Sequence, residues 1–324
     1  MKPQPTNEQG IQEMLANHKK FWAHVRKESI EPEAARGNEN TLWSSMDSLI
    51  NVNTRRFKGL GDPIQRLEAN VHNVWDLFIL SAQNIEPDHP AQDRLLRTIL
   101  QTRDRGVLRR DWPEPCGPQS DFTAESAMEQ HLPTIAQTSQ GYIWADLPFL
   151  VVDVQNAWKS LGLMNTLASL QQQRNLTSSM ARLASLSVCG HAFSDCGLEI
   201  MKQGVETEPV SPEVDEHHTA LVRIWLGYAS ENVLRRCLEG GKCINADWAE
   251  DGQQPDQVGV LAERAGTVPT PGWTQERFLF WKDTLTAKAA GLGDQELVAV
   301  QNKNLITEAW EVHRGIFYYL ERIE

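Results

Sequence analysis

Carboxylates placed close to aromatic residues are the side chains of this sequence best suited to chemistry. Asp146 follows Trp144 by two residues, Glu231 follows Tyr228 by three, and Glu276 lies in an aromatic-rich segment. Burial of a carboxylate among apolar groups raises its pKa, because the charged form is disfavoured there, and the group can then act as a general acid near neutral pH. Asp146, Glu231 and Glu276 are therefore candidate catalytic residues.

Each of these carboxylates also has an ordinary structural interpretation. Asp146 stands where it could cap a helix, and Glu276 lies in a predicted first turn, where the helix dipole favours an acidic residue. Glu231 precedes Arg235 by four residues, the spacing of an ion pair on one helix face. The structural role is the more ordinary one for each residue, and the catalytic role requires a pocket around it.

His191 is the fourth acid–base candidate. It precedes Asp195 by four residues, so the two side chains share a helix face, with Cys189 and Cys196 nearby. Structural metal sites use pairs of Cys or His ligands at set spacings, and no such pattern accompanies these residues. We therefore predict no metal site, and a helix with an internal ion pair or hydrogen bond is the alternative interpretation.

Motifs for nucleophiles and cofactors do not occur in the sequence. There is no Gly-x-Ser-x-Gly elbow and no P-loop, and Gly59-Leu-Gly61 does not follow a predicted strand, as a dinucleotide-binding motif would. The prediction is a protein without a cofactor. An enzyme is still compatible with this, because holding a substrate in a reactive conformation can supply much of a rate enhancement.

Tryptophan is unusually frequent, with 11 residues against 9 Phe and 4 Tyr. Such side chains bury large areas and are mostly core anchors, but a few of them can shape a pocket. The residues predicted to line a substrate pocket are Trp144, Trp158, Trp225, Tyr228 and Trp281. Arg277 is predicted to anchor a carbonyl or carboxylate of the substrate.

Charge and composition narrow the range of partners. The formal net charge of −12 opposes binding to nucleic acid, which needs clustered Lys and Arg. The polar N-terminus lacks the apolar segment of a secretion signal, and no apolar run is long enough to span a membrane. Five cysteines without regular spacing are typical of reduced thiols. The sequence predicts a cytoplasmic protein without membrane insertion that binds a small apolar molecule, and a homodimer is left open.

Apolar residues recur at helical spacing along most of the chain, and no stretch shows the sustained two-residue alternation of a strand. The prediction is an all-α fold of roughly ten helices in a single domain over residues 1–324. A short helix is predicted near 123–138, and Pro148 is placed in the first turn of a helix that follows Trp144. Long loops are predicted near 103–120 and 240–272, the second with at most a short helix near 257–264. A connection as long as the second is typical of a lid, a binding loop or a disordered segment.

Several motifs follow one another in a characteristic order. They are Val74-Trp75-Asp-Leu-Phe-Ile-Leu-Ser-Ala82, Pro90-x-Gln92-x-x-Leu95-Leu96, Trp144-Ala-Asp-Leu-Pro148 with Trp158 downstream, Asn165-Thr-Leu-Ala-Ser-Leu170 and Gln275-Glu-Arg-Phe-Leu-Phe-Trp-Lys282. Together they resemble a fungal family called domain of unknown function 3632. The resemblance implies a fungal origin and a single helical domain, and it supplies no catalytic residues. It also implies a link to specialised metabolism, since relatives often occur among such genes.

These observations favour a cofactor-independent enzyme of fungal specialised metabolism. We expect an isomerase, a cyclase or a related lyase that acts on an apolar polyketide- or terpenoid-type substrate in an aromatic-lined helical pocket. The alternatives are a helical protein-interaction or regulatory protein without activity, and a ligand carrier without chemistry. An internal pocket would favour the enzyme, whereas a solid core with an exposed apolar patch would favour the interaction protein.

Overall fold

Helices form most of the described chain, which confirms the predicted all-α class. The computed structural model describes residues 8–60, 62–110, 134–242, 257–268, 270–292 and 297–320. Contacts divide the chain into two compact units, Met1–Ile85 with Pro90–Ala157 and Glu86–His89 with Trp158–Glu324. The single domain over residues 1–324 stays a prediction, because a compact unit is a separate domain only if it can fold alone.

The first unit contains five helices that precede its strands. They are α1 (Glu8–Val25), α2 (Glu31–Ala35), α3 (Glu39–Leu60), α4 (Ile64–Asn84) and α5 (Ala91–Asp104), with a π-helical turn at Arg26–Ile30 between α1 and α2. Two short antiparallel pairs follow, β1 (Arg109–Arg110) with β2 (Thr134–Ile135) and β3 (Gln137–Thr138) with β4 (Gly141–Tyr142). Helix α6 (Leu150–Met164) comes next, and the boundary between the units falls within it.

Helix α4 supplies much of the core of the first unit. Its apolar residues recur at helical spacing, and the face they form packs against α1 and α3. The side chains of this face are at most 2% exposed; they are Leu67, Val71, Val74, Trp75 and Phe78. Complete burial of one such side chain contributes about 1.5–3 kcal/mol, so this face stabilises the unit and fixes the position of the polar residues of α4.

The described part of the second unit contains six further helices, the longest of which spans Pro212–Glu239. They are α7 (Leu167–Ser185), α8 (Ala192–Met201), α9 (Pro212–Glu239), α10 (Val260–Ala265), α11 (Gln275–Leu292) and α12 (Leu297–Leu320), with a π-helical turn at Lys202–Glu206. The long helix α9 packs against α7, α8, α11 and α12. Ser211 caps its N-terminus, since the Ser211 hydroxyl accepts a hydrogen bond from the backbone N–H of Val214 at 3.4 Å. The helix is bent at Ala229 (φ −132°, ψ 17°).

The structure corrects two local predictions near the strands. Residues 134–138 were predicted to be helical, but they form β2 and β3, whose backbone groups pair with neighbouring strands instead of with a helix. The rest of that predicted helix, 123–133, lies outside the described residues. Pro148 precedes α6 instead of lying in its first turn, because the left-handed backbone of Phe149 (φ 67°) separates Pro148 from the helix that begins at Leu150.

The two predicted loops are described in part. Residues 105–108 join α5 to β1, and 111–120 lie outside the described residues. In the 240–272 segment the predicted short helix is confirmed as α10, whereas 243–256 and 269 lie outside the described residues. The ends of this segment are joined, since the Trp273 N–H donates to the Gly241 carbonyl at 2.9 Å. Only glycine fits at Gly272 (φ 93°), because a Cβ there would lie 2.5 Å from the Gly241 oxygen.

Within the described part of the chain, no helix is both long enough and apolar enough to cross a bilayer.

Candidate active site

The loop Gln140–Phe149 has a strained backbone. Three of its residues that are not glycine adopt left-handed conformations, Trp144 (φ 68°), Leu147 (φ 51°) and Phe149 (φ 67°). Each such residue costs on the order of 1–3 kcal/mol and persists only where its surroundings impose it. Because strain of this kind concentrates at functional sites, the loop is the first place to look for one.

Two buried indole groups hold this loop in place. The Trp75 Nε1–H donates to the Pro148 carbonyl at 2.7 Å, and the Trp144 Nε1–H donates to the Thr54 hydroxyl at 3.0 Å. Trp75 and Trp144 are at most 1% exposed. The structure therefore places Trp144, a predicted pocket residue, in the core of the first unit, where its indole N–H is already hydrogen bonded.

Asp146 shapes the start of the same loop. Its Oδ2 accepts a hydrogen bond from the Tyr142 N–H at 2.7 Å. The carboxylate also occupies the space beside Gly141 (φ 117°), where an added Cβ would lie 2.6 Å from Oδ2. Asp146 is exposed and does not cap α6, which corrects the structural interpretation of this residue. Its catalytic role stays a prediction.

His72 and Asp153 meet beside the strained loop. His72 lies on α4 and Asp153 in the first turn of α6, and 2.7 Å separates Nδ1 of His72 from Oδ2 of Asp153. The His72 ring also lies against the Phe149 ring, with 4.4 Å between centroids and 32° between planes. The side chains of His72 and Asp153 are 46% and 21% exposed, so solvent or a ligand can reach the pair.

The pairing determines which nitrogen of His72 is open to reaction. An ionised carboxylate can only accept hydrogen bonds, so Nδ1 carries the proton and Nε2 of the neutral ring holds the lone pair. No described residue forms a hydrogen bond with Nε2. The hydrogen bond to Asp153 raises the pKa of His72, burial opposes this, and the charges of Asp153 and Glu68 add to the rise. The imidazole can thus exchange a proton near neutral pH.

Neither member of this pair was among the residues predicted from the sequence. The two residues are 81 positions apart in the sequence and lie on different helices. Asp153 falls between Trp144 and Trp158, in the segment that the sequence marks as unusual, but nothing in the local pattern indicates a histidine partner. Only the packing of α4 beside the loop brings them together.

In the second unit, Arg277 forms an internal ion pair. Its Nε and NH2 groups donate to the two carboxylate oxygens of Glu206, at 2.6 Å and 2.9 Å, and both side chains are fully buried. Further donors of the same guanidinium bind the carbonyls of Gly272 at 3.0 Å and Gln257 at 3.1 Å. These contacts bind Arg277 to the protein itself, and its anchoring of a substrate stays a prediction.

The predicted tryptophans of the second unit also lie in its core. Trp281 donates from Nε1 to Glu206 at 2.6 Å, and Trp158 donates to the Thr177 hydroxyl at 2.8 Å. Trp225 is fully buried against Gly197, where an added Cβ would lie 2.4 Å from the indole nitrogen. All three are at most 3% exposed. Their role in lining a pocket stays a prediction.

The other predicted residues of the second unit lie nearer the surface. The Tyr228 hydroxyl donates to the Asp88 carboxylate at 2.9 Å. Burial raises the pKa of this hydroxyl most, and the hydrogen bond raises it further. Glu231 and Glu276 are exposed, and Glu276 lies in the first turn of α11, as its structural interpretation expects. His191 is half-buried and precedes α8 directly. Arg235, the expected partner of Glu231, donates instead to the Ser187 hydroxyl at 3.0 Å.

Predicted site residues therefore occur in both units. Trp144 and Asp146 belong to the first, and the remaining residues belong to the second. A surface groove on α3, lined by Asn40, Thr41, Ser44, Ser45 and Ser48, contains none of them. In the part of the chain that the structure describes, no three His, Cys, Asp or Glu side chains are grouped to hold a metal ion. The absence of a bound metal stays a prediction.

A fungal protein is similar to this chain over most of its length. It is described as Oxopyrrolidines biosynthesis cluster protein G from Penicillium oxalicum, and it is 25% identical over 294 residues, which cover 83% of this chain and 75% of the relative. The relative supports a fungal origin for the present chain. No solved structure matches the present chain.

The family described as "Protein of unknown function (DUF3632)" matches residues 75–285, a region that includes the strained loop, Asp153 and the Glu206–Arg277 pair. His72 lies just before this region. Since the match spans well over half of the chain, the protein belongs to this family.

Proposed function

We propose that this protein is a cofactor-independent enzyme of fungal specialised metabolism, an isomerase or cyclase that converts a small, largely apolar molecule at the loop Gln140–Phe149. The observation that carries the proposal is the strain in this loop. Three residues that are not glycine have left-handed conformations, and hydrogen bonds of two buried tryptophans restrain the loop. A backbone that costs this much and is restrained this closely is typical of a catalytic or ligand-binding loop.

The relative supports the metabolic setting. Its name assigns it to a biosynthesis cluster for oxopyrrolidines, and the similarity extends over 83% of the present chain. A protein from such a cluster is exposed to small organic intermediates of the biosynthesis. At 25% identity we carry over the metabolic setting alone, and the substrate of this chain is left as a small apolar molecule of the polyketide or terpenoid type.

Deletion of the gene in the source fungus tests the proposal directly. We expect the deletion strain to accumulate a precursor, and purified protein to convert that precursor in the extract to a product of the same mass. Unchanged mass is the signature of an isomerase or cyclase. The reaction is run with gel-filtered protein, with EDTA and without added cofactor. An unchanged metabolite profile after deletion, or an extract that the protein does not convert, would contradict the proposal.

Binding can be measured with the same extract. A ligand that binds only the folded state raises the melting temperature, and the 11 tryptophans provide a fluorescence signal. Fractions that contain the precursor should stabilise the protein in a saturable way, whereas fractions from the complemented strain should not. Fractions without any effect would argue against a small-molecule site.

The second candidate is a protein-interaction or regulatory protein. It is favoured by three apolar side chains around the turn between α6 and α7, where Leu163, Met164 and Leu167 are 86%, 61% and 90% exposed. Exposed apolar groups that lie close together are typical of interaction surfaces. This candidate predicts that Leu163→Ser with Leu167→Ser abolishes complementation of the deletion strain while conversion of the extract by purified protein stays absent. The cytoplasmic location and the homodimer stay predictions from the sequence.

A further inference from the structure

The pair formed by His72 and Asp153 has the geometry of an acid–base group oriented by a carboxylate. Three observations coincide there: a 2.7 Å contact between Nδ1 and the carboxylate, a partly exposed imidazole, and ring contact with the strained Phe149. The strained loop therefore fixes one face of the imidazole while the carboxylate fixes its tautomer.

We propose that His72 is the catalytic base of this protein and that Asp153 positions it, so that the pair moves a proton on a carbonyl compound that binds against the strained loop. This inference rests on the proposed function and names the residues and the class of substrate. The substrate class is a ketone with a carbon–carbon double bond one carbon removed from its carbonyl group, because the C–H bond between these two groups is much more acidic than that of a simple ketone, ester or amide.

The reaction balances without any other reactant. The Nε2 lone pair takes the proton from the carbon next to the carbonyl, and the electron pair of the broken C–H bond moves to the carbonyl oxygen to give an enolate. This enolate is conjugated with the neighbouring carbon–carbon double bond, and it takes the same proton, or one exchanged with water, at the far carbon of that double bond, so the double bond moves next to the carbonyl group. One C–H bond breaks and another forms, so the formula is unchanged and nothing is oxidised.

Apolar surroundings fit such a substrate. The Phe149 ring, whose centroid lies 4.4 Å from that of the imidazole, offers contact surface to hydrocarbon parts of a ligand. A carbonyl compound with apolar substituents therefore suits this surface better than a highly charged one.

Asp153 acts through His72 and not on the substrate. It keeps the proton on Nδ1 and stabilises the imidazolium that forms when Nε2 takes up a proton, the role that a carboxylate plays toward a catalytic histidine in general. The other charged group that acts on the ring is Glu68 of α4, which also favours the protonated form. Loss of the Asp153 charge should therefore shift the pH dependence of the reaction as well as slow it.

Conversion of the precursor in extracts of the deletion strain tests the pair, with His72→Gln, Asp153→Asn and His24→Gln as variants. His24 is an exposed histidine of α1 and serves as the matched control. We expect His72→Gln to slow conversion on the order of 10²-fold or more, because a general base contributes about that much. Asp153→Asn should slow it less and move the inflection of the pH–rate profile to lower pH, while His24→Gln matches the wild type.

Each outcome decides something. Conversion by His72→Gln within fivefold of wild type, or a pH–rate inflection that Asp153→Asn leaves in place, overturns the assignment of the pair while the proposed function stands. Failure of the wild type to convert the extract overturns both. Thermal unfolding of each variant shows whether it is folded. In a further variant, His72→Ala, added imidazole should restore part of the rate, a result that a purely structural role of His72 would not produce.

Discussion

Glu206 and Arg277 form a bidentate ion pair in which both side chains are fully excluded from solvent. The carboxylate also accepts hydrogen bonds from Trp281 at 2.6 Å and from the Gly259 N–H at 2.7 Å. The pair thus connects the π-helical turn Lys202–Glu206, the segment before α10 and the start of α11. Four donors around one carboxylate satisfy both of its oxygens, so the charge is compensated where water cannot reach.

Glu206→Gln should destabilise the second unit strongly. The variant keeps the size of the side chain but leaves the buried guanidinium of Arg277 without its counter-charge, and loss of one partner of a buried pair costs roughly 3–5 kcal/mol. Urea-induced unfolding measures this free energy. The matched control is Glu208→Gln, which breaks the surface pair with Arg264, whose side chains are 57% and 64% exposed. We expect a change of less than about 1 kcal/mol there, and equal effects of the two variants would contradict this role of Glu206.

Gly141→Ala should destabilise the first unit by way of the strained loop. Gly141 has a φ of 117°, and the added Cβ would lie 2.6 Å from the Asp146 carboxylate, which would have to move and lose its contact with the Tyr142 N–H. We expect a loss of about 1–3 kcal/mol in urea-induced unfolding. Gly59→Ala is the control, because Gly59 lies in α3 with nothing within 4 Å of the added Cβ. That change should stabilise the protein by about 0.5–1 kcal/mol, and a stabilising Gly141→Ala would disprove the account of the loop.

Much of the fold follows from periodicity alone. The apolar stripe of α4 predicts which residues are buried, since helical spacing and burial have the same geometric origin. The short helix within 240–272 is also predicted correctly. The strands β2 and β3 are missed because they are too short for an alternating pattern to develop.

The candidate site could not be predicted in this way. His72 and Asp153 are 81 positions apart and Glu206 and Arg277 are 71 apart, so each pair depends on tertiary packing. The ion pair of Arg277 could not be predicted, because its counter-charge Glu206 is not among the residues that neighbour Arg277 in the sequence. The left-handed backbone of Trp144 is equally hidden, because positive φ is ordinarily a property of Gly or Asn and not of a large aromatic residue.

His217 should make the second unit sensitive to acid. Burial lowers its pKa from 6.5 to about 4, and the positive charges of Arg174 and His218 act in the same direction. Nδ1 accepts a hydrogen bond from Arg174 at 3.3 Å, so Nε2 carries the proton and donates to Gln173 at 2.7 Å. The neutral ring thus satisfies both neighbours, and the imidazolium would put a second donor against the guanidinium.

The sign of the effect follows from the lowered pKa. Between pH 6.5 and about 4, His217 is protonated in the unfolded chain but stays neutral in the folded chain. The stability that is present above pH 6.5 is therefore lost as the pH falls toward about 4. The loss amounts to at most roughly 3–4 kcal/mol, since one pKa unit corresponds to about 1.4 kcal/mol. Urea-induced unfolding at several pH values should show wild type losing more stability over this range than His217→Gln, whose side chain does not titrate. His24→Gln, a change at an exposed histidine, should follow the wild-type curve. Parallel curves for wild type and His217→Gln would show that His217 is not the group responsible.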